Sequence, residues 1–191
     1  TSLVISWQIL ILISVFSQVP YQVAFPKLNE NFVKYGFQKN RNIFPFYLMY
    51  CLMTYTLIAT AFFLAAGLLR YLLPDAHFIG DSLTLVAIFL IGFLEVNHGV
   101  CSNLVTVENK VPMYKRGLLA AMSVCLLTHL FIFILEFPIE SVLLAIFLSQ
   151  LSFNNLYWPL LISSKFKTSP LSMYSRGFAS LAYVVRRRIS L

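Results

Sequence analysis

Two ionisable side chains, Glu95 and His98, lie inside an apolar stretch of the sequence. They are three residues apart, and Ser102 and Thr106 continue the same helical face at steps of four. If this stretch crosses a membrane, a charge at its centre costs about 2.5–3.5 kcal/mol on insertion scales. Such residues normally face the interior of a helix bundle or a water-filled cavity, and we expect the same of Glu95 and His98.

Two other apolar stretches carry polar side chains three or four positions apart, namely Ser14, Gln18 and Gln22 in the first and Gln150, Asn154 and Tyr157 in the last. Each set predicts a polar stripe on one helix. We expect Gln18, Gln150 and Asn154 to line a cavity together with Glu95. The alternative is that these amides only hydrogen-bond neighbouring helices, a contribution of about 0.6 kcal/mol per bond in membranes.

The elements that position these residues must be membrane helices. The chain is 59% hydrophobic and 11% charged, with a mean hydropathy of +0.80, whereas soluble domains are roughly 45–50% apolar. Lipid leaves backbone polar groups without partners unless the segment is helical or forms a closed barrel. The sequence therefore predicts an all-α integral membrane protein. We expect a bundle of about five transmembrane helices, at about residues 2–25, 44–69, 82–106, 117–136 and 141–164.

The cations are distributed in an alternating pattern. Of the 14 lysines and arginines, all but Arg70 lie in the connectors 26–42 and 107–116 or in the tail from Lys165, and the intervening connectors are acidic. Because cytoplasmic loops carry the excess of Lys and Arg, the first span is predicted to run inwards and the carboxyl terminus to be cytoplasmic. The same sorting accounts for the net charge of +7, so no nucleic-acid partner is expected.

The tail, residues 166–191, is basic and amphipathic. Its apolar residues recur at steps of three and four, at Leu171, Tyr174, Phe178, Leu181 and Val185. This spacing predicts an interfacial helix that lies on membrane lipids, with Arg186, Arg187 and Arg188 among anionic head groups. A disordered basic tail is the alternative.

The sequence shows no apparatus for catalysis. A Glu-x-x-His pair such as Glu95 and His98 occurs in di-metal helix bundles, but those need a second such motif and two further inward carboxylates, which the chain lacks. It also lacks a phosphate-binding glycine loop and a Cys-x-x-Cys motif. We therefore expect no catalytic residue, no metal and no cofactor.

Three segments together resemble the carboxyl-terminal half of bacterial polysaccharide flippases. These are the O-antigen and capsule members of the multidrug, oligosaccharidyl-lipid and polysaccharide exporter superfamily. The segments are "VPYQVAFPKLNE" (19–30), "HGVCSNLVTVENKVPMYKRG" (98–117) and "LLAIFLSQLSFNNLYWPLLISSKFK" (143–167). The topology agrees with the resemblance. In a twelve-span member the even-numbered spans run from outside to inside. The first span here is predicted to run in that direction, so the five spans match spans eight to twelve.

The resemblance implies a transporter, not an enzyme, that moves an undecaprenyl-pyrophosphate-linked sugar repeat across the bacterial inner membrane. It implies that a missing amino-terminal half, or polysaccharide assembly proteins, act with this chain. Arg70 and a protonated His98 would attract the pyrophosphate. Since histidine changes charge near neutral pH, His98 beside Glu95 would also make a proton-coupled element. Two alternatives stay open: a cation-coupled multidrug exporter of the same superfamily, and a non-transporting membrane subunit or assembly factor.

Overall fold

All regular structure in the described parts of the chain is helical. The computed structural model describes residues 2–72, 81–107, 113–138 and 141–189. The predicted all-α class is therefore confirmed. The α-helices in these ranges are α1 (Ser2–Tyr35), α2 (Phe44–Leu72), α3 (Ser82–Thr106), α4 (Met113–His129), α5 (Ser141–Ser149), α6 (Tyr157–Lys165) and α7 (Pro170–Ile189).

Within those ranges, four helical stretches are long and apolar enough to cross a membrane. They are Leu3–Tyr35, Phe44–Leu72, Ser82–Thr106 and Lys115–Ile134. The last of them joins α4 to a π-helical turn, Leu130–Ile134. Because a bilayer core about 30 Å thick needs about 20 helical residues, these lengths support a membrane helical bundle.

The fifth predicted span, 141–164, is helical but not uniform. A π-helical turn, Gln150–Asn155, separates α5 from α6. Neither α5 nor α6, at nine residues each, is long enough to cross a membrane alone. That the composite segment crosses stays a prediction. Outside the described residues lie positions 74–80 of the acidic connector before α3, positions 108–112 of the basic connector 107–116, and positions 190–191 of the tail.

A proline accompanies the second π-helical turn. Pro159 lies inside α6, four residues after Asn155, the last residue of the turn Gln150–Asn155. A proline in a helix removes one backbone hydrogen bond and crowds the carbonyl four residues before it. A wider turn ending at that carbonyl relieves the crowding, so this π-helical turn lies where Pro159 favours one.

The first helix extends beyond the predicted span of 2–25 and ends only at Tyr35, despite Pro20 and Pro26 in its interior. It stops at Gly36, whose φ of 74° is a conformation that side-chain-bearing residues rarely adopt. Part of the basic connector 26–42 is therefore an ordered continuation of α1.

Side-chain amides hold the chain where it turns after α1. Asn40 Nδ2 donates to the backbone oxygen of Leu28 at 2.8 Å, and Asn31 Nδ2 donates to Asn40 Oδ1 at 3.3 Å. All three residues are buried. Because these bonds satisfy buried polar groups, they fix the approach of the chain to α2.

The packed core lies among α1, α2 and α3. Tyr55 of α2 is fully buried, and its hydroxyl donates to the backbone oxygen of Phe89 on α3 at 3.0 Å. Gly92 lets the three helices approach closely, because a Cβ added there would collide with Leu10 and Tyr55. In α4, by contrast, only 6% of the span is buried. This core holds α3, which carries Glu95, in a defined orientation.

The two ends of the bundle differ in their described side chains. At one end, Gln38 Nε2 donates to the backbone oxygen of Lys165 at 2.6 Å, which brings the basic segments after α1 and α6 together. At the other end, Arg70 Nη1 donates to Ser82 Oγ at 3.1 Å. The basic segments after α1 and α6 are thus at one end and Arg70 is at the other, as the alternation of charges predicts. Which side of the membrane each end faces stays a prediction.

The tail is helical over Pro170–Ile189, and α7 packs against the start of α2. Gly177 makes the close approach, since a Cβ there would collide with the backbone oxygen of Pro45 and with Met49. Of the predicted apolar stripe, Tyr174 packs against the core, whereas Leu171, Phe178 and Val185 stay exposed. The helix therefore keeps an apolar face for lipid, and its location at the membrane surface stays a prediction.

Candidate functional site

A cleft of about 400 Å³ opens between α1, α3 and α5. Glu95 lies on its wall near the middle of α3, thirteen residues from Ser82 and eleven from Thr106. The cleft is therefore central along the spanning helices. Its lining combines the apolar residues Trp7, Leu10, Ile11, Val15, Ile91 and Ile146 with the polar residues Ser14, Gln18, Glu95 and Gln150.

Gln150 links α3 to the π-helical turn Gln150–Asn155. Its Nε2 donates to Glu95 Oε2 at 2.9 Å, and its Oε1 accepts from Asn154 Nδ2 at 2.8 Å. The hydrogen bond orients the carboxyl group of Glu95. The Glu95 side chain is still 47% exposed. One face of the carboxylate is thus held while the other stays open to the cleft.

His98 lies next to Glu95 without a hydrogen bond to it. The distance from His98 Nδ1 to Glu95 Oε2 is 3.8 Å, beyond hydrogen-bonding range. The imidazole is 6.5 Å from the Trp158 ring, centroid to centroid, and its buried Nδ1 has no hydrogen-bond partner among the described residues. A protonated His98 would form an ion pair with Glu95 at this distance.

Gln18 and Ser14 form the α1 wall of the cleft. Gln18 lies against Gly99 of α3, where an added Cβ would come within 2.9 Å of Gln18 Oε1. One turn earlier, the buried Ser14 Oγ lacks a hydrogen-bond partner in the described part of the chain. Buried hydroxyls are normally satisfied by protein or by ordered water. Ser14 therefore contributes a polar residue to the wall, while its Oγ is itself closed off from the cleft.

The hydrogen bonds that join Glu95, Gln150 and Asn154 form a network, and a second branch of this network reaches α7. The Tyr174 hydroxyl donates to Asn97 Oδ1 at 2.8 Å, and Asn97 Nδ2 donates to Asn155 Oδ1 at 2.8 Å. Asn155 Nδ2 in turn donates to the backbone oxygen of Gln150 at 3.0 Å. Burial raises the pKa of Tyr174 above its ordinary value, so its hydroxyl keeps the proton that it donates. The tail helix is thereby connected to the residue that orients Glu95.

The π-helical turn is what allows Asn155, in addition to Asn154, to reach Gln150. In an α-helix, residue i+5 lies about 140° around the axis from residue i, so Asn155 would face away from Gln150. A π-helical turn bonds residue i+5 to residue i and places the two on one face. The turn shows this pattern, since the Leu156 N–H donates to the Leu151 oxygen at 3.2 Å. Asn154 and Asn155 can therefore both bond Gln150.

The structure brings together five of the six site residues predicted from the sequence. Gln18, Glu95 and Gln150 line the cleft, Asn154 is bonded to Gln150, and His98 lies beside Glu95. Arg70 is not among them. It is bonded to Ser82, thirteen residues and about 20 Å of helix from Glu95. The cation expected to attract pyrophosphate is therefore at the end of the bundle, outside the cleft.

Several polar residues of the predicted stripes serve other purposes. The hydroxyls of Ser102 and Thr106 donate to backbone oxygens of their own helix at 3.2 and 2.7 Å. Tyr157 lies under the guanidinium of Arg116, whose Cζ is 4.0 Å from the ring centroid. Periodicity identified the polar face of each helix, but only part of each face reaches the cleft.

Besides Asn155, which directly follows the predicted residue Asn154, two residues of the network were missed in the sequence. Asn97 lies between Glu95 and His98 in the chain but on a different face of α3, so a search for one stripe passed over it. Tyr174 was counted as part of the apolar stripe of the tail. An asparagine within an apolar span was the available signal, whereas no local signal identified the hydroxyl of Tyr174 as a partner.

The cleft can hold a neutral hydroxyl-rich group or a cation. The carboxylate of Glu95 accepts hydrogen bonds, and the amides of Gln18 and Gln150 both donate and accept. In the described ranges, no three His, Cys, Asp or Glu side chains come together as metal ligands.

Comparison with protein-family models, curated proteins and solved structures finds no match for this chain.

Proposed function

We propose that the chain is part of a bacterial inner-membrane transporter that moves a lipid-linked oligosaccharide, an O-antigen or capsular repeat unit on undecaprenyl pyrophosphate. The observation that carries this proposal is the mixed lining of the cleft. Glu95, Gln18 and Gln150 supply hydrogen-bonding groups at mid-helix depth, and apolar residues of α1, α3 and α5 line the same cleft. An amphipathic substrate needs both kinds of lining.

The polar and the apolar lining residues each have a chemical counterpart in such a substrate. Sugar hydroxyls pair with carboxylate and amide oxygens and with amide N–H groups, so they replace the water that they lose on entering the cleft. A polyprenyl chain requires apolar contacts only. The resemblance to polysaccharide flippases points to the same substrate class. In this proposal the carboxyl terminus is cytoplasmic, and an amino-terminal half or polysaccharide assembly proteins complete the transporter.

The pyrophosphate needs a cationic partner. No Lys or Arg is among the residues that line the described cleft, and Arg70 lies at the end of the bundle. We therefore assign the neutralisation of the pyrophosphate to the opposite wall, supplied by the partner half, or to a protonated His98. Within this chain, Glu95 and Gln150 bind the sugar.

The test replaces Glu95 with Gln in the gene at its native locus. Glu95→Gln removes the charge while keeping the shape, and we expect surface polysaccharide to fall at least tenfold while the chain is made at the normal level. Glu136→Gln is the matched control, because Glu136 is an exposed carboxylate outside the cleft. The lipid-linked repeat should accumulate on the cytoplasmic face. Normal export by Glu95→Gln would contradict the proposal.

One observation favours a second candidate. A half-exposed carboxylate in a cleft with mostly apolar lining also suits a lipophilic cation, as in a cation-coupled multidrug exporter. Binding of tetraphenylphosphonium to the purified protein separates the two. Binding that is lost in Glu95→Gln, with surface polysaccharide unchanged, would favour the exporter. Lost polysaccharide without binding of the cation would favour the flippase.

A further inference from the structure

A second groove, separate from the cleft, lies between α2 and the tail helix α7. Gly177 brings α7 against Pro45, and towards the carboxyl end of α7 a groove of about 540 Å³ separates the two helices. This volume is within the roughly 300–1,000 Å³ of small-ligand sites. The groove is lined by Asn42, Ile43, Phe46 and Tyr47 from one side and by Ala179, Ser180, Tyr183 and Val184 from the other.

The α7 wall of this groove has an arginine beyond each end. Arg176, Ser180, Tyr183 and Arg187 follow one another at steps of four, three and four, so they share one helical face. Ser180 and Tyr183 are on the groove. Arg176 and Arg187 therefore lie on the groove-facing side, one turn before and one turn after it. Arg186 differs, because an adjacent residue is rotated by about 100° around the helix.

The groove combines apolar and polar groups in one place. Phe46, Tyr47 and Tyr183 supply aromatic surface of the kind that is enriched at membrane–water interfaces. The amide of Asn42 and the hydroxyl of Ser180 can donate hydrogen bonds to an oxyanion. The location is the basic end of the bundle, where Gln38 is bonded to Lys165. A ligand with both a negative charge and an apolar chain would match these groups and the arginines beyond the ends of the groove.

We propose that this groove binds one anionic phospholipid from the adjoining membrane leaflet. The phosphate lies on the arginine-bearing face of α7, within reach of Asn42 and Ser180, and the acyl chains run along Phe46 and Tyr183. Charge complementarity selects this occupant, since a zwitterionic headgroup gains little from two arginines. The inference is independent of what the cleft transports, because the two cavities have no lining residue in common.

A site in the groove differs from general attraction of a basic tail to the membrane. General attraction depends on the number of cations near the surface, about 1 kcal/mol each, and not on the face that carries them. A groove site depends on the face. Arg186 and Arg187 are neighbours in sequence, have the same charge and belong to the same helix, so they separate the two cases.

The experiment uses the purified full chain in detergent and counts bound lipids by native mass spectrometry. Phosphatidylglycerol and phosphatidylcholine with identical acyl chains are the probes. We expect one tightly bound phosphatidylglycerol, about fivefold weaker binding in Arg187→Gln and in Arg176→Gln, and nearly unchanged binding in Arg186→Gln. Equal losses in Arg186→Gln and Arg187→Gln, or equal retention of the two lipids by the unmodified protein, would overturn the proposal.

A second pair of variants tests the groove without changing charge. Ser180→Trp fills the groove, whereas Ser175→Trp places the same side chain at an exposed position of α7. We expect Ser180→Trp to lose the bound phosphatidylglycerol and Ser175→Trp to keep it. Retention of the lipid by Ser180→Trp would contradict binding in the groove.

Discussion

Glu95 and Gln150 are 55 positions apart in the chain, and Gln150 Nε2 donates to Glu95 Oε2 at 2.9 Å. The bond joins the middle of α3 to the π-helical turn between α5 and α6. It holds one oxygen of the carboxylate while almost half of the side chain stays exposed. Glu95 is therefore oriented by the protein and still available to a ligand.

This relationship predicts an energetic coupling between Glu95 and Gln150. In a double-mutant cycle of Glu95→Leu and Gln150→Leu, we expect an interaction of about 1 kcal/mol in the free energy of unfolding, within the range for hydrogen bonds between membrane helices. Gln18 is the matched control, because it lines the same cleft but rests on Gly99. The cycle of Glu95→Leu and Gln18→Leu should give a coupling near zero. Equal couplings would show that the bond is not specific.

The connection from α7 predicts different roles for two tyrosines of that helix. Tyr174→Phe deletes only the hydroxyl that is bonded to Asn97, and we expect a loss of about 1 kcal/mol in the free energy of unfolding. Tyr183→Phe deletes the same atom from an exposed residue and should change little. Equal unfolding free energies for the two variants would contradict the connection.

Close helix packing predicts that Gly92 cannot be replaced. Gly92→Ala pushes against Leu10 and Tyr55, and we expect a destabilisation of about 1–3 kcal/mol from overpacking. Gly67→Ala is the control, since a Cβ there meets no atom within 4 Å. Thermal unfolding of the two variants in the same detergent makes the comparison. A Gly92→Ala protein as stable as Gly67→Ala would mean that the α1–α2–α3 contact is looser than described.

The alternation of basic and acidic connectors predicts the topology. Reporter fusions at residues 78 and 112, in the connectors before and after α3, should report opposite sides of the membrane, with residue 112 in the cytoplasm. A fusion at residue 191 should agree with the one at 112. Reporters at 78 and 112 on the same side would contradict the predicted crossing of α3.

Helical periodicity was sufficient to identify most of the residues that line or adjoin the cleft. Glu95 and His98 share one face of α3, and Gln18 and Gln150 were identified because each lies on a polar stripe of an otherwise apolar helix. A polar group in lipid is expensive, so such stripes turn towards one another. The all-α class followed from composition for the same reason, since lipid leaves the backbone few choices.

Contacts that depend on tertiary packing could not be predicted in this way. Asn97 lies on another face of α3, and its partners Asn155 and Tyr174 come from elements whose relative placement no local pattern reveals. The π-helical turn shifts Asn155 onto the face of Gln150, which a count in steps of 3.6 residues misplaces. Arg70 was expected to act with the cavity from its charge alone, and its bond to Ser82 keeps it at the end of the bundle.

The central claim is that Glu95 faces a hydrated cleft and not lipid. Cysteine accessibility in the native membrane tests it most directly, after Cys51, Cys101 and Cys125 have been replaced by Ala. Cysteine at position 95 should react with a membrane-impermeant maleimide, because a thiol must ionise in water to react. Leu57→Cys, at the middle of α2 and exposed on its apolar surface, should stay unreactive. Failure of position 95 to react, or equal reaction at 57, would contradict a hydrated cleft.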